Sequence, residues 1–215
     1  MKRSPVMQFA TAMLLVLAST LAWCDTSMLR PPKGSKVAII VFEDLECPQC
    51  ARTAPLLHEA AKKYDIPLVQ HDFPLRQHPW SLDAAINARY FDTKSPKLGD
   101  EYRLFIFQNQ NFVTKQNLRG MTEKWAQQHG ITLPFVVDPS GELAGKVEAD
   151  RQMGNKIPLD HTPTVFIVTD AAHTTPVTEV KDINQLYQML DELTKEARES
   201  GTSTQAAKKS PHSSH

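Results

Sequence analysis

The segment Val37-Ala38-Ile39-Ile40-Val41-Phe42-Glu43-Asp44-Leu45-Glu46-Cys47-Pro48-Gln49-Cys50-Ala51 decides the fold. Its first six residues are apolar and mostly β-branched, which reads as a buried strand. Pro48 then stands where a helix would begin, a position at which its missing N–H costs nothing. From Pro48 to about Tyr64, Ala51, Ala54, Leu57, His58 and Ala61 recur at helical spacing and give a largely apolar stripe. Pro55 interrupts that helix; an interior proline costs about 3 kcal/mol and predicts a kink. Ile66-Pro67-Leu68-Val69-Gln70-His71-Asp72-Phe73 reads as a second strand, so the segment predicts a βαβ unit with a right-handed crossover.

The chemistry sits at the strand-to-helix turn. Two cysteines separated by two residues can close a small disulfide ring. The first, Cys47, is expected among the unpaired N–H groups of the helix start, where negative charge is favoured. That environment lowers a thiol pKa and supplies the thiolate, the species that attacks disulfides. Cys50 is expected one turn inside and shielded.

Further along, helical patterns run from His78 to about Asn155. Ser81 is the expected cap of a stretch carrying Ala84, Ala85, Ala88 and Phe91, and Pro96 opens another with Leu98, Tyr102, Phe105 and Ile106. Asn117 or Thr122 caps a third, ended by Gly130, and Asp138-Pro139-Ser140 starts a fourth that ends near Gly154. Thr164–Thr169 reads as a strand, Val177–Val180 as its hairpin partner, and Ile183 to about Ala197 as a terminal amphipathic helix. The order βαβ, helical block, ββα predicts an α/β domain with helices inserted between its halves.

The flanks set the compartment. Lys2 and Arg3 precede an apolar stretch, Met13 to about Trp23, which is short for a span of about 20 residues but fits a signal-peptide core. Residues 1–24 are thus expected to be a signal peptide, with cleavage near Ala22 or just after Cys24, and the body to lie outside the cytoplasm. An uncleaved anchor is the rival. Leu21-Ala22-Trp23-Cys24 approaches a lipoprotein acceptor, although bulky Trp23 stands where a small residue belongs. Of three cysteines, one falls at this boundary and two form the motif, too few for a disulfide-stapled scaffold. Lys plus Arg equals Asp plus Glu at 24 each, which removes any global electrostatic case for nucleic acid. Apolar residues at 41% are enough for a core. The expected organisation is 1–24 signal peptide, 25–36 N-terminal segment, 37–198 domain with a helical insertion at about 79–155, and 199–215 disordered tail.

Three segments in this order resemble the DsbA-like branch of the thioredoxin superfamily over roughly residues 37–197. They are the strand followed by Asp44-Leu45-Glu46-Cys47-Pro48-Gln49-Cys50-Ala51, then Phe73-Pro74-Leu75 with His78-Pro79, and Thr162-Pro163-Thr164 before Val165-Phe166-Ile167. The resemblance implies a thioredoxin fold with an inserted helical domain and a thiol:disulfide oxidoreductase in which Cys47 is the nucleophile and Cys50 the resolving thiol. It implies a cis Pro163 in a loop facing the pair, with Thr162 offering backbone groups to an extended substrate. No cofactor is implied. Partners would be exported proteins with thiols or disulfides and a membrane redox protein, and the compartment would be the bacterial periplasm. No dimerisation domain of the isomerase kind is seen.

Departures from the family's pattern define the open questions. Relatives often carry a buried carboxylate six residues before the first cysteine, where it can accept the resolving thiol's proton; Val41 stands there, and Glu43 and Asp44, nearer the turn, are expected to be solvated or capping, with substitution for that carboxylate by one of them as the alternative. Pro48-Gln49 lacks the histidine of the strong oxidant, so a less oxidising pair is expected, with Gln49 offering only a neutral hydrogen bond. Glu46 would oppose the thiolate if it pointed at it. His161 stands where glycine is common and is expected to face solvent. His58 is expected to pack or lie on the surface, His71 and His78 to be structural, and Trp80, Trp125 and Phe105 to be core. Two other readings use the same thiolates: a reductase fed by a membrane partner, and a copper(I)-binding module. Two thiolates alone do not complete a structural zinc site, and no metal site is expected.

Overall fold

A computed structural model describes residues 26–170 and 176–207, with side chains up to residue 199. The expected signal peptide, Cys24 and the last eight residues lie outside the described residues. The chain begins β1 (Val37–Glu43), α1 (Pro48–Tyr64), β2 (Leu68–Asp72) and continues through α2 (Ser81–Asp92), α3 (Pro96–Asn109), α4 (Leu118–Gln128) and α5 (Glu142–Lys156). It closes with β3 (Thr164–Thr169), β4 (Val177–Glu179) and α6 (Leu186–Ala207). This is the expected α/β architecture with helices inserted between two halves.

The sheet order is β2-β1-β3-β4, with β1 parallel to β2, antiparallel to β3, and β3 antiparallel to β4. Central β1 is buried on both faces, which is why its sequence is a continuous apolar run rather than an alternation. The two-residue period still sorts its side chains. Val37, Ile39 and Val41 pack with Leu57, Leu186 and Leu190 under α1 and α6, while Ala38, Ile40 and Phe42 pack with Phe73, Ile157 and Phe166 on the other face. Each such large side chain contributes about 1.5–3 kcal/mol by leaving water. A carboxylate at Ile39, wholly buried, would find no partner there.

A third cluster belongs to the insertion. Trp80, Phe91, Tyr102, Ile106 and Trp125 pack together and reach Leu45, Cys47, Cys50 and Ala54. The turn carrying the cysteines is therefore clamped between the sheet and the helical block. Phe105 packs on this cluster while staying partly exposed.

Several local expectations change. Helix α1 is unbroken through Pro55, whose ring is exposed. Ser81 does not cap α2; its hydroxyl donates to Asp44 Oδ1 at 2.5 Å. Asn117 stands at the N-cap of α4 as expected, although its side chain bonds Thr114 N and Phe112 O rather than the helix amides, and Thr122 lies inside the helix, donating to Leu118 O. Asp138 does serve α5, accepting from Leu143 N and Ala144 N. The terminal helix continues past Ala197 and through Gly201 to Ala207, into the stretch expected to be a disordered tail. No proline stops it there, and one interior glycine costs only about 1 kcal/mol.

Candidate active site

The chain leaves β1 at Glu43 and turns within four residues, Cys47 N donating to Asp44 O at 3.0 Å. Cys47 is the N-cap of α1 (φ −79°, ψ 120°) and its carbonyl accepts the first helical bond from Ala51 N at 3.1 Å. The two cysteines are not bonded to each other; Cys47 is 7% and Cys50 1% exposed, while Pro48 and Gln49 between them lie at the surface.

The two sulfurs have opposite electrostatics. The hydrogen bond from the Cys50 thiol is the main cause that brings Cys47 down to about 5, against partial burial. The Thr162 hydroxyl and the amides of Cys50 and Gln49 lower it further, although neither amide makes a fully formed cap bond to the thiol. Cys50 is pushed far up, chiefly by burial, then by holding its proton toward Cys47, with the charge of Glu43 adding to it; the Asp44 amide pulls the other way. One proton is thus shared across the pair, and at neutral pH Cys47 is the thiolate.

Opposite stands the loop before β3. The Thr162–Pro163 bond is cis. Thr162 O accepts from the Cys47 thiol at 3.3 Å, and Thr164 Oγ1 donates to His161 O at 2.8 Å, fixing the loop. The Thr162 hydroxyl is buried with no partner while Cys47 is a thiol, which leaves it available to donate to the thiolate. Replacing Thr162 with valine is expected to raise the Cys47 pKa. Thiolate absorbance against pH reads it, with a wild-type midpoint near 5; an unmoved midpoint would show that the hydroxyl does not reach the sulfur.

The remaining residues divide. Gln49 Oε1 accepts from Arg52 at 2.6 Å, so its side chain is engaged away from the sulfur and only its amide contributes. Glu46 Oε2 accepts from Trp80 N at 2.8 Å, and burial raises its pKa, so it is held on the insertion rather than aimed at Cys47. His161 is exposed and bonds its neighbour Asp160. His58 is half-buried with its Nε2 unpartnered, and burial lowers its pKa. His71 lies 2.7 Å from Asp150 and His78 2.8 Å from Asp44.

Glu43 and Asp44 overturn the expectation of solvated or capping carboxylates: they are 3% and 1% exposed. Asp44 is enclosed by four donors, Glu46 N, Leu75 N, His78 Nδ1 and Ser81 Oγ, at 2.5–2.8 Å. Glu43 Oε1 accepts from Gln70 at 3.0 Å, and burial raises its pKa to about 8. Arg103 opposes that rise only in part, because its guanidinium is committed to Asp92 by two bonds of 2.9 Å and faces Asp72 at 3.6 Å. Gln110, which no motif marked, reaches from the insertion to Leu45 O (2.8 Å) and Cys47 O (3.1 Å). No local signal could have found it, since its partners are more than sixty residues away. Among the described residues no group of three or more His, Cys, Asp and Glu side chains is placed to hold a metal ion, so a metal at the pair would rest on two sulfurs.

A family model described as thioredoxin matches residues 25–192. Among solved structures, alpha-DsbA1 from Wolbachia pipientis is similar at 16% identity and a TM-score of 0.62, over 78% of this chain and 90% of that one. The thiol-disulfide exchange protein alpha-DsbA2 from the same organism is similar at 13% identity, TM-score 0.60, over 89% and 100% of the two chains. BdbD from Bacillus subtilis in its oxidised form is similar at 16% identity, TM-score 0.60, over 79% and 91%. No curated protein sequence matches the chain.

Proposed function

The chain belongs to the thioredoxin family and carries its DsbA-like fold, and on that premise we propose that it exchanges disulfides with exported proteins through Cys47 and Cys50, outside the cytoplasm. The observation that carries this reading is a sulfur at the mouth of α1 with a pKa near 5, facing the cis Thr162–Pro163 loop, with a shielded second thiol one turn inside.

In the oxidised protein a substrate thiolate attacks Cys47 Sγ. The new S–S bond forms as the Cys47–Cys50 bond breaks, and Cys50 leaves with the electron pair and then takes a proton. A second substrate thiolate attacks the substrate sulfur of the mixed disulfide and releases Cys47 as thiolate. Two substrate thiols are thereby oxidised and the protein is reduced. Because Cys47 is a stable leaving thiolate, the reduced protein is favoured and the pair leans toward donating its disulfide. An oxidant must then restore it, a role that suits a membrane redox partner. Glu43, with a pKa near 8, can exchange a proton at working pH and is the buried acid whose charge acts on Cys50.

Substrate access is supported by a groove of about 310 Å³ beside the pair, lined by Gln49, His161, Pro163, Val180 and Ile183. An extended chain lying there would pass the Thr162–Pro163 loop. The apolar, basic-headed residues 1–24 support export, and a disulfide-forming pair needs an oxidising compartment. No described helix is long and apolar enough to cross a membrane.

The test is direct. Oxidised protein mixed with a reduced, unfolded substrate should transfer one disulfide per chain, and its equilibrium with glutathione should favour the reduced protein. Absence of transfer would overturn the proposal, and recovery of the native chain from the cytoplasmic fraction would overturn its location.

A further inference from the structure

Asp44 spends a buried carboxylate on shaping one turn. Its Oδ1 accepts from Glu46 N at 2.7 Å and Ser81 Oγ at 2.5 Å, and its Oδ2 from Leu75 N at 2.7 Å and His78 Nδ1 at 2.8 Å. Three segments of the chain are thereby tied to one side chain: the turn itself, the Leu75–His78 loop after β2, and the start of α2. The backbone of the same residue points at the reaction centre, because Asp44 N donates to Cys50 Sγ at 3.4 Å. The bond is local in sequence, six residues apart, yet its direction is set by the Asp44 side chain, whose outer anchors lie more than thirty residues away.

We infer that Asp44, with His78 and Ser81 as its outer anchors, is a positioning residue that aims its own N–H at the departing sulfur of Cys50. This rests on the disulfide-exchange reading and deepens it. When a substrate thiolate attacks Cys47 Sγ, the breaking bond leaves its electron pair on Cys50 Sγ, deep enough that water does not solvate it. A fixed amide dipole already aimed at that atom stabilises charge as it develops and needs no rearrangement at the moment of reaction. Stable reduced protein holds Cys50 as a protonated thiol, to which an N–H bond is a weaker contact than to a thiolate. The device therefore acts on the barrier more than on the equilibrium. It serves both directions, since Cys50 is the leaving group when the disulfide opens and the attacking thiolate when it closes.

The experiment compares wild type with Asp44→Ala, Asp44→Asn, His78→Ala, His78→Asn and Ser81→Ala in the exported form of the chain. Stopped-flow mixing of oxidised protein with reduced glutathione gives the opening rate, and the glutathione equilibrium gives the potential. Asp44→Ala and His78→Ala should slow opening and reclosure about tenfold together while the equilibrium constant stays within about twofold. His78→Asn, which returns an N–H near the Nδ1 position, should recover most of the loss. Should Asp44→Ala fail to fold, Asp44→Asn and His78→Ala carry the same comparison. Rates within about twofold of wild type would overturn the inference, and so would a roughly tenfold change in the equilibrium constant, which marks a loosened turn rather than a misaimed dipole. A wild-type protein that does not react with glutathione would instead remove the disulfide-exchange reading itself.

Discussion

Cys47→Ala is expected to lower disulfide exchange by roughly a thousandfold or more, while Cys50→Ala keeps the first chemical step and loses the second. Cys47 is the more exposed sulfur, it caps α1, and its pKa near 5 makes it the thiolate under working conditions. Removing it leaves Cys50, whose thiol is pushed up by burial and is 1% exposed, so neither ionisation nor access permits attack. In the Cys50→Ala protein, Cys47 still attacks a substrate disulfide, but nothing one turn away can resolve the product. Mixed disulfides with substrate proteins should therefore accumulate and be visible by mass. The same variant should also raise the Cys47 pKa, because the Cys50 thiol is the largest of the causes holding it down. A thiolate titration of Cys50→Ala that still centres near pH 5 would show that the Thr162 hydroxyl and the amides at the helix start set the value without the Cys50 thiol, and trapping on Cys50 in the Cys47→Ala protein would reverse the assignment.

What was readable in the chain, and what was not, follows from the range of the interactions. The Val37–Phe42 run, proline at the helix start and the two-residue cysteine spacing are local, and each maps onto β1, the α1 start and the cap as expected. The ββα close was legible from the β-branched Thr164–Thr169 run and its partner Val177–Glu179 for the same reason. Glu43 and Asp44 were misread because two adjacent carboxylates beside a turn ordinarily face water. Their burial depends on Gln70, brought alongside by the β1–β2 pairing, and on Ser81 in α2 and Arg103 in α3, which reach the turn only once the insertion has folded over it. Ser81 bonds Asp44, 37 residues away, instead of capping α2, and Asn117 stands at the start of α4 but spends its side chain on the preceding turn; residue types that cap helices also serve such bonds, and sequence does not choose between them. The polar lining of the site, in short, is built from long-range partners that no periodicity encodes.

The same buried network makes the strongest stability prediction. Arg103 is 2% exposed, bonds Asp92 twice and faces Asp72 at 3.6 Å, while Arg89 ties Asp72 to Asp150 and His71 closes on Asp150. Arg103→Met keeps much of the volume but removes one of the two cations that Asp72 and Asp92 share and leaves them to Arg89 alone, which should cost about 3 kcal/mol in denaturant unfolding. Glu43 adds a pH signature. Its folded pKa of about 8 lies above its ordinary 4.5, so its contribution is fully present below pH 4.5 and is lost as pH rises toward 8. Glu43→Gln should therefore match wild type at about pH 4 and exceed it by on the order of 4 kcal/mol at pH 8 and above. Arg103 is what keeps the Glu43 value from rising further, so the Arg103→Met deficit should widen above pH 8, where wild type has levelled off and the variant still loses stability. Adding Glu43→Gln to Arg103→Met should remove that widening and leave the remainder from Asp72 and Asp92. A Glu43→Gln protein no more stable than wild type at pH 8 would mean that Glu43 is ionised when folded, and that Arg103, despite its bonds to Asp92, compensates it in full.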